Sequence, residues 1–194
     1  MSPTAPPGDV TLELAARVAQ VLEQEGAPAV IIGAMAMAAH HYARATEDLD
    51  LAVAVEPLQM RRLAKTLSAL GVEVTLREPD PQDPLGGVID VHGAGADRIQ
   101  VVNFDNSPAG GFPRLVREAL TSSSPLEPGS NLRVADLFSL IGFKLYAGGD
   151  KSWGDIRALL RRNAPVDLVA LRAWCKERRL ARQLESVLSG MSAP

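Results

Sequence analysis

Apolar residues along this chain fall into three alternating patterns: helical stripes, strict alternation and short unbroken runs. Leu12, Ala15, Val18, Ala19 and Leu22 lie three and four residues apart, which predicts a helix over 10–25. Gly26 and Pro28 end it, and residues 29–32 are a short apolar run of the buried-strand kind. Gly33 turns the chain into a helix over 34–42, whose alanines and methionines allow close packing. Residues 48–56 then alternate as a strand, with Leu49, Leu51, Val53 and Val55 on one face. An amphipathic helix is predicted over 57–70, closed by Gly71, and another strand over 72–76. A proline- and glycine-rich loop, 78–87, leads to strand candidates at 87–93 and 98–104 and a short helix at 112–120. TSSSPLEPGSN, residues 121–131, reads as a linker. Beyond it, helices are predicted over 134–147, 153–162, 166–178 and 180–189. The pattern implies an α/β (α+β) fold. A lobe at 1–122 has a small mixed β-sheet flanked by helices, and a helical C-terminal lobe at 131–194 packs with it or beside it.

Composition narrows the setting. A hydrophobic content of 46% supports a packed core. The single cysteine, Cys175, excludes a disulfide framework within the chain and fits a reducing, cytoplasmic location. Nothing approaches the ~18 consecutive apolar residues of a membrane span. The first ten residues lack the regions of a signal peptide and are expected to fray. Net charge is −3 but uneven. Residues 1–150 hold 11 Lys/Arg and 19 Asp/Glu; residues 151–194 hold 9 and 4. The basic end either attracts a polyanion such as RNA or is a solvated helical face complementing the acidic part.

The chemistry centres on Asp48 and Asp50. Two residues apart on a strand, they project on the same side, opposite the leucines and valines. At ~4 Å and an effective dielectric of ~20, two such charges repel by roughly 4 kcal/mol. A cation or a shared proton between them relieves this. With a glycine-led helix start nearby, the pair suits Mg²⁺ and a phosphate. The alternative is a solvated face of an edge strand.

Gly33-Ala34, a helix, and then Asp48-Leu49-Asp50 on the next strand resemble the nucleotidyltransferase superfamily that includes DNA polymerase β. The run IIGAMAMAAHHYARATEDLDLAV is similar to the AbiEii-type group, which includes toxins of bacterial toxin–antitoxin pairs. That group continues with a lysine-bearing helix and an aspartate-bearing helix. DLFSLIGFKLYAGGDKSWGDIRALL supplies Lys144 and Asp155 in that order, so the resemblance spans roughly residues 28–162. It implies that Asp48 and Asp50 hold Mg²⁺ on the triphosphate of an NTP and that Lys144 neutralises phosphate charge. Gly33 would let the phosphates approach the backbone. The implied activity moves an NMP to a hydroxyl of RNA, possibly tRNA, or of protein, with a cognate antitoxin as partner if the chain is a toxin. A degenerate nucleotide-binding or interaction protein and a small-molecule (antibiotic) nucleotidyltransferase are the alternatives.

Other readings stay open for several residues. Lys144 lies at the edge of a stripe formed by Val134, Leu137, Phe138, Ile141 and Leu145, where a lysine also snorkels to water. Asp155 fits a capping box begun by Ser152. Arg44 and Thr46 precede the aspartate strand and either contact phosphate, orient the carboxylates or belong to a surface loop. Ala34 stands where the family commonly has serine or glycine, removing a hydroxyl. The family's third carboxylate belongs on the 98–104 strand, where Gln100 is the inward candidate; an amide offers oxygen but no carboxylate base. Asp90 and Asp105 are possible substitutes. His40, His41, His92 and Cys175 show no metal or nucleophile pattern and are expected to pack or face solvent. The candidate RNA surface comprises Arg157, Arg161, Arg162, Arg172, Lys176, Arg178, Arg179 and Arg182.

Overall fold

The stripe of Leu14, Ala15, Val18, Ala19 and Leu22 is buried on one side of the first helix, α1 (Asp9–Gln24). A computed structural model describes residues 8–80, 85–106 and 110–190. The N-terminal segment expected to fray, and part of the 78–87 loop, lie outside these. The chain continues through β1 (Val30–Ile32), α2 (Gly33–Ala39), β2 (Asp48–Val53), α3 (Pro57–Ser68), β3 (Glu73–Arg77), β4 (Val88–His92) and β5 (Arg98–Asn103). Two short strands, β6 (Asp105–Asn106) and β7 (Gly110–Gly111), form a separate hairpin before α4 (Pro113–Ser122). Then come β8 (Ser124–Pro125), β9 (Arg133–Val134), α5 (Leu137–Ala147), α6 (Gly149–Arg162), α7 (Leu168–Glu177) and α8 (Ala181–Ser189). No helix among the described residues is long and apolar enough to cross a membrane.

The main sheet is mixed and seven-stranded, in the order β3-β4-β5-β2-β1-β9-β8. β2 pairs in parallel with β5 and antiparallel with β1, so it is an interior strand, not the edge strand considered above. Its leucines and Val53 are fully buried. Apolar side chains from α1, α2, α3, the sheet, α5, α6, α7 and α8 form one continuous core. A second cluster joins Val30, Ile32 and Ala52 to α4 and Phe143 of α5.

Two predicted boundaries are corrected. The 121–131 stretch is crossed by β8, and the helix expected from 134 begins at Leu137, because Val134 belongs to β9 and pairs with Ile31. Val134 fits a helical stripe by spacing but is buried against the sheet. Asp136 marks the true helix start: its Oδ1 accepts hydrogen bonds from the backbone N–H of Phe138 (2.9 Å) and Ser139 (3.1 Å). Second, α6 starts at Gly149, three residues before the predicted Ser152 cap, so Asp155 lies within the helix and caps nothing.

Asn103, fully buried at the end of β5, closes the sheet end. Its Nδ2 donates to the Val55 carbonyl at 2.7 Å and its Oδ1 accepts from Val55 N–H at 3.1 Å. Asn103→Ala strands both backbone groups in the interior, at about 1–3 kcal/mol each. The expected result is a loss of about 3 kcal/mol, read as a lower denaturant midpoint with an unchanged slope.

Candidate active site

The alternation of β2 delivers what its sequence requires: Leu49 and Leu51 face the core while Asp48 and Asp50 share the opposite face. The two carboxylates line an open polar cleft of about 380 Å³ with Arg44, Thr46, Gln100 and Lys151. The Asp50 carboxylate takes part in no hydrogen bond or ion pair with another described residue. Burial pushes its carboxyl above the usual carboxylate range, and the charge of Asp48 adds to this; Lys144, Arg98 and Arg44 oppose it.

The glycine that opens α2 is dictated by Asp50. Gly33 has φ +67°, and a Cβ there would stand 2.0 Å from Asp50 Oδ2. Gly33→Ala is therefore expected to cost about 1–3 kcal/mol in strain and to displace the Asp50 carboxylate. Thermal unfolding and divalent-ion affinity should fall together; unfolding alone falling would mean that Gly33 serves only the turn. Ala34 is buried, its methyl in the core rather than the cleft.

Thr46 orients Asp48. Its hydroxyl donates to the Asp48 carbonyl at 2.9 Å and lies 3.3 Å from Asp48 Oδ1, while Asp48 N–H donates back to it. Lys144 and Asp155 meet across α5 and α6: Lys144 Nζ donates to Asp155 Oδ2 at 2.7 Å. Arg44 Nε is 3.7 Å from Asp155 Oδ1. The Asp155 side chain is only 4% exposed, so it anchors two cations beside the aspartate pair. Of the sequence-predicted residues, Asp48, Asp50, Arg44 and Thr46 line the cleft, and Lys144 and Asp155 stand behind it.

The register across the sheet locates the position where the resemblance places a third carboxylate. Gln100 pairs with Asp50 on one side and with Asp90 on the other. It therefore occupies the β5 position named from the sequence. Asp90 is one strand farther out and already engaged: Arg77 binds it through Nε (2.8 Å) and Nη2 (3.2 Å), and Gln100 Nε2 donates to it at 2.6 Å. Burial raises the Asp90 carboxyl, but these hydrogen bonds outweigh it and leave the group below its ordinary value. Because the carboxylate takes the amide nitrogen, Gln100 Oε1 is the atom left to face a ligand. Asp105 lies beyond the end of β5, in β6, where its N–H donates to Asn103 Oδ1, and it does not line the cleft.

Two residues of the site escaped the sequence reading. Arg98 Nη2 donates to Asp48 Oδ2 at 2.5 Å, and Arg98 Nε lies 3.9 Å from Asp90 Oδ1. The signal was present: Arg98 is two residues before Gln100 on an alternating strand and so shares its face. Lys151, in the first turn of α6, carries no comparable signal.

The remaining candidates are structural. His40 Nε2 bonds the Ala135 carbonyl at 2.8 Å, and Asn163 Nδ2 donates to the His40 carbonyl at 2.8 Å, tying α2 to α6. Cys175 is buried, which pushes its thiol up to about 11. Within the basic C-terminal segment, Arg172 pairs with Glu185 (2.7 Å) and Arg178 with Glu118 (2.6 Å) while stacking on Trp174. Arg157 Nε donates to the Val187 carbonyl at 3.3 Å. Arg161, Arg162, Lys176, Arg179 and Arg182 are exposed.

This arrangement, a mixed sheet with paired aspartates on an interior strand after a glycine turn, is a nucleotidyltransferase fold. Solved structures bear this out. The crystal structure of ANT(2'')-Ia in complex with adenylyl-2''-tobramycin superposes with a TM-score of 0.54 at 17% identity, covering 88% of this chain and 99% of that one. The solution structure of the antibiotic-resistance factor ANT(2'')-Ia gives 0.52 at 17% identity, covering 91% and 97%. An antigenic nucleotidyltransferase-like protein from Paracoccidioides brasiliensis gives 0.52 at 16% identity, covering 97% and 95%. No known family's sequence profile matches the chain, and no curated protein matches it.

Proposed function

We propose that this chain is a divalent-metal-dependent nucleotidyltransferase. The observation that carries the reading is Asp50: a half-buried carboxylate without a side-chain partner among the described residues, beside a second carboxylate, in an open polar cleft. A fold keeps such a pair where a cation completes it. Two carboxylates and an amide oxygen are hard donors that fit Mg²⁺, which takes one or two carboxylates and fills its shell with water and substrate phosphates.

Asp48 and Asp50 would hold the ion, with Gln100 Oε1 beside them. The ion supplies charge neutralisation on the triphosphate. Thr46 and Arg98 fix the Asp48 carboxylate, and Gly33 keeps the wall behind Asp50 clear. Lys144 and Arg44, both held by Asp155, add positive charge behind the site. In the transfer, the acceptor hydroxyl oxygen bonds to the α-phosphorus of an NTP. The bond to the bridging oxygen breaks, pyrophosphate leaves, and the hydroxyl proton passes to solvent. Gln100 cannot take that proton, so positioning and charge carry the catalysis.

The acceptor in this reading is RNA, tRNA included, met by exposed basic side chains on and between the last three helices: Arg161, Arg162, Lys176, Arg179 and Arg182. The motif order of the AbiEii-type group adds a toxin role, with an antitoxin partner and a cytoplasmic setting. A second reading takes a cationic small molecule as acceptor. It is favoured by the acidic excess of residues 1–150 and by the overlay on ANT(2'')-Ia, whose crystal structure holds adenylyl-2''-tobramycin. A degenerate nucleotide-binding protein is the reading that Gln100 supports.

Labelled NTPs with Mg²⁺ and total RNA, cell lysate or an aminoglycoside separate these. Label on RNA, lost in Asp48→Asn and Asp50→Asn, supports the first; label on the aminoglycoside supports the second. Metal-dependent NTP binding with no transfer to any acceptor supports the degenerate protein. Absence of nucleotide binding removes all three.

A further inference from the structure

The nucleotidyltransferase reading uses Arg98 only to fix the Asp48 carboxylate. Arg98 lies inside the aspartate cluster, on the face of β5 that carries Gln100, and in parallel register with Asp48. Its Nη2 is 2.5 Å from Asp48 Oδ2 and its Nε 3.9 Å from Asp90 Oδ1. That Nε is buried and lacks a hydrogen-bond partner. A guanidinium is permanently charged and binds carboxylates in fixed geometry, so Arg98 is a resident cation of the site.

We propose that Arg98 occupies the charge position of a second metal ion, so that the site works with a single divalent cation. This rests on the nucleotidyltransferase reading and sharpens it. Two-metal phosphoryl-transfer sites set their ions about 3.5–4 Å apart between shared carboxylates. Here the oxygens that would be shared are taken or missing. One Asp48 oxygen is bound by Arg98, and the β5 position is a neutral amide. Asp90 is neutralised by Arg77 through two hydrogen bonds. Among the described residues, no group of three or more His, Cys, Asp and Glu side chains is placed to hold a metal.

The charge balance agrees. Three carboxylates with two divalent ions leave one net positive charge facing the triphosphate. Two carboxylates with one divalent ion and one guanidinium leave the same. Replacing a carboxylate by Gln100 and a metal by Arg98 are therefore matched changes: neither alone keeps the charge. Gln100 thus becomes the partner change to Arg98 instead of a lost catalytic group.

The alternative is that Arg98 is only a tie between β2 and β5. Metal stoichiometry separates the two, because a tie has no effect on how many ions bind. Titrate the full chain with Mn²⁺ in the presence of an ATP analogue that cannot be cleaved between the α- and β-phosphates. Count bound ions by electron paramagnetic resonance. The wild type should bind one Mn²⁺ per chain, and Arg98→Lys should also bind one. Arg98→Ala combined with Gln100→Asp should bind two. Two ions in the wild type, or one in the double variant when it is folded by circular dichroism, would overturn the proposal. A misfolded double variant leaves the wild-type count to decide alone. No binding of Mn²⁺ or analogue by the wild type would instead defeat the nucleotidyltransferase reading beneath it.

Discussion

Asp50→Asn should lower nucleotidyl transfer by at least about 10³-fold, since metal-borne charge stabilisation supplies several kcal/mol and each ~1.4 kcal/mol is a factor of ten. The same substitution should leave the protein more stable, not less. Asp50 is a half-buried charge facing a like charge, and its carboxylate has no hydrogen bond or ion pair with another described residue, so removing the charge relieves desolvation and repulsion together. A rise in Tm of about 2–4 °C is expected for a gain near 1 kcal/mol in a chain of this size. Thermal unfolding without added metal, beside the labelled-NTP assay, checks both halves. The wild type should gain Tm when metal is added, and that gain should vanish in the variant. A variant that loses stability but keeps transfer would show that the pair serves the fold alone.

Lys144→Met should produce the largest loss of stability. Lys144 is 14% exposed and Asp155 4%, so removing the lysine leaves a buried carboxylate whose remaining cation, Arg44, stands 3.7 Å away. Breaking a buried pair from one side costs about 3–5 kcal/mol, or about 6–20 °C in Tm at this length. Lys144→Met with Asp155→Leu removes both charges and should recover most of that stability, because apolar replacements of similar volume often match a buried ion pair. Activity distinguishes the roles. If Lys144 neutralises phosphate charge, the double variant stays inactive although it is stable again. Recovered transfer in the double variant would reduce the pair to packing.

The strands and helices around the site were legible because their spacing has a single physical cause. Residues 48–53 alternate since one face meets a core and the other a cleft, and β2 follows that pattern. The position of Gln100 was equally legible, because alternation on β5 settles which residues face the cleft. What escaped were features set by tertiary register. Arg98 meets Asp48 only because β5 runs parallel to β2 in that frame, and a sequence does not state the pairing of its strands. Asp155 matched a cap by spacing alone, yet α6 began earlier and buried it against Lys144. Val134 matched a helical stripe while its true neighbour was Ile31 in the sheet.

The pairing of Ile31 with Val134 also governs how this molecule must be made. The two positions are about 100 residues apart, and loops of that length close slowly. On the ribosome, β1 and β2 emerge long before β9, so the outer edge of β1 stays bare until the last third of the chain is synthesised. A bare apolar edge is a template for pairing with another nascent chain. A chain cut after residue 122 retains the aspartate strand but exposes that edge and lacks Lys144 and Asp155. Such fragments should aggregate as they are translated, which makes completion of the C-terminal half the step that commits the protein to its folded state.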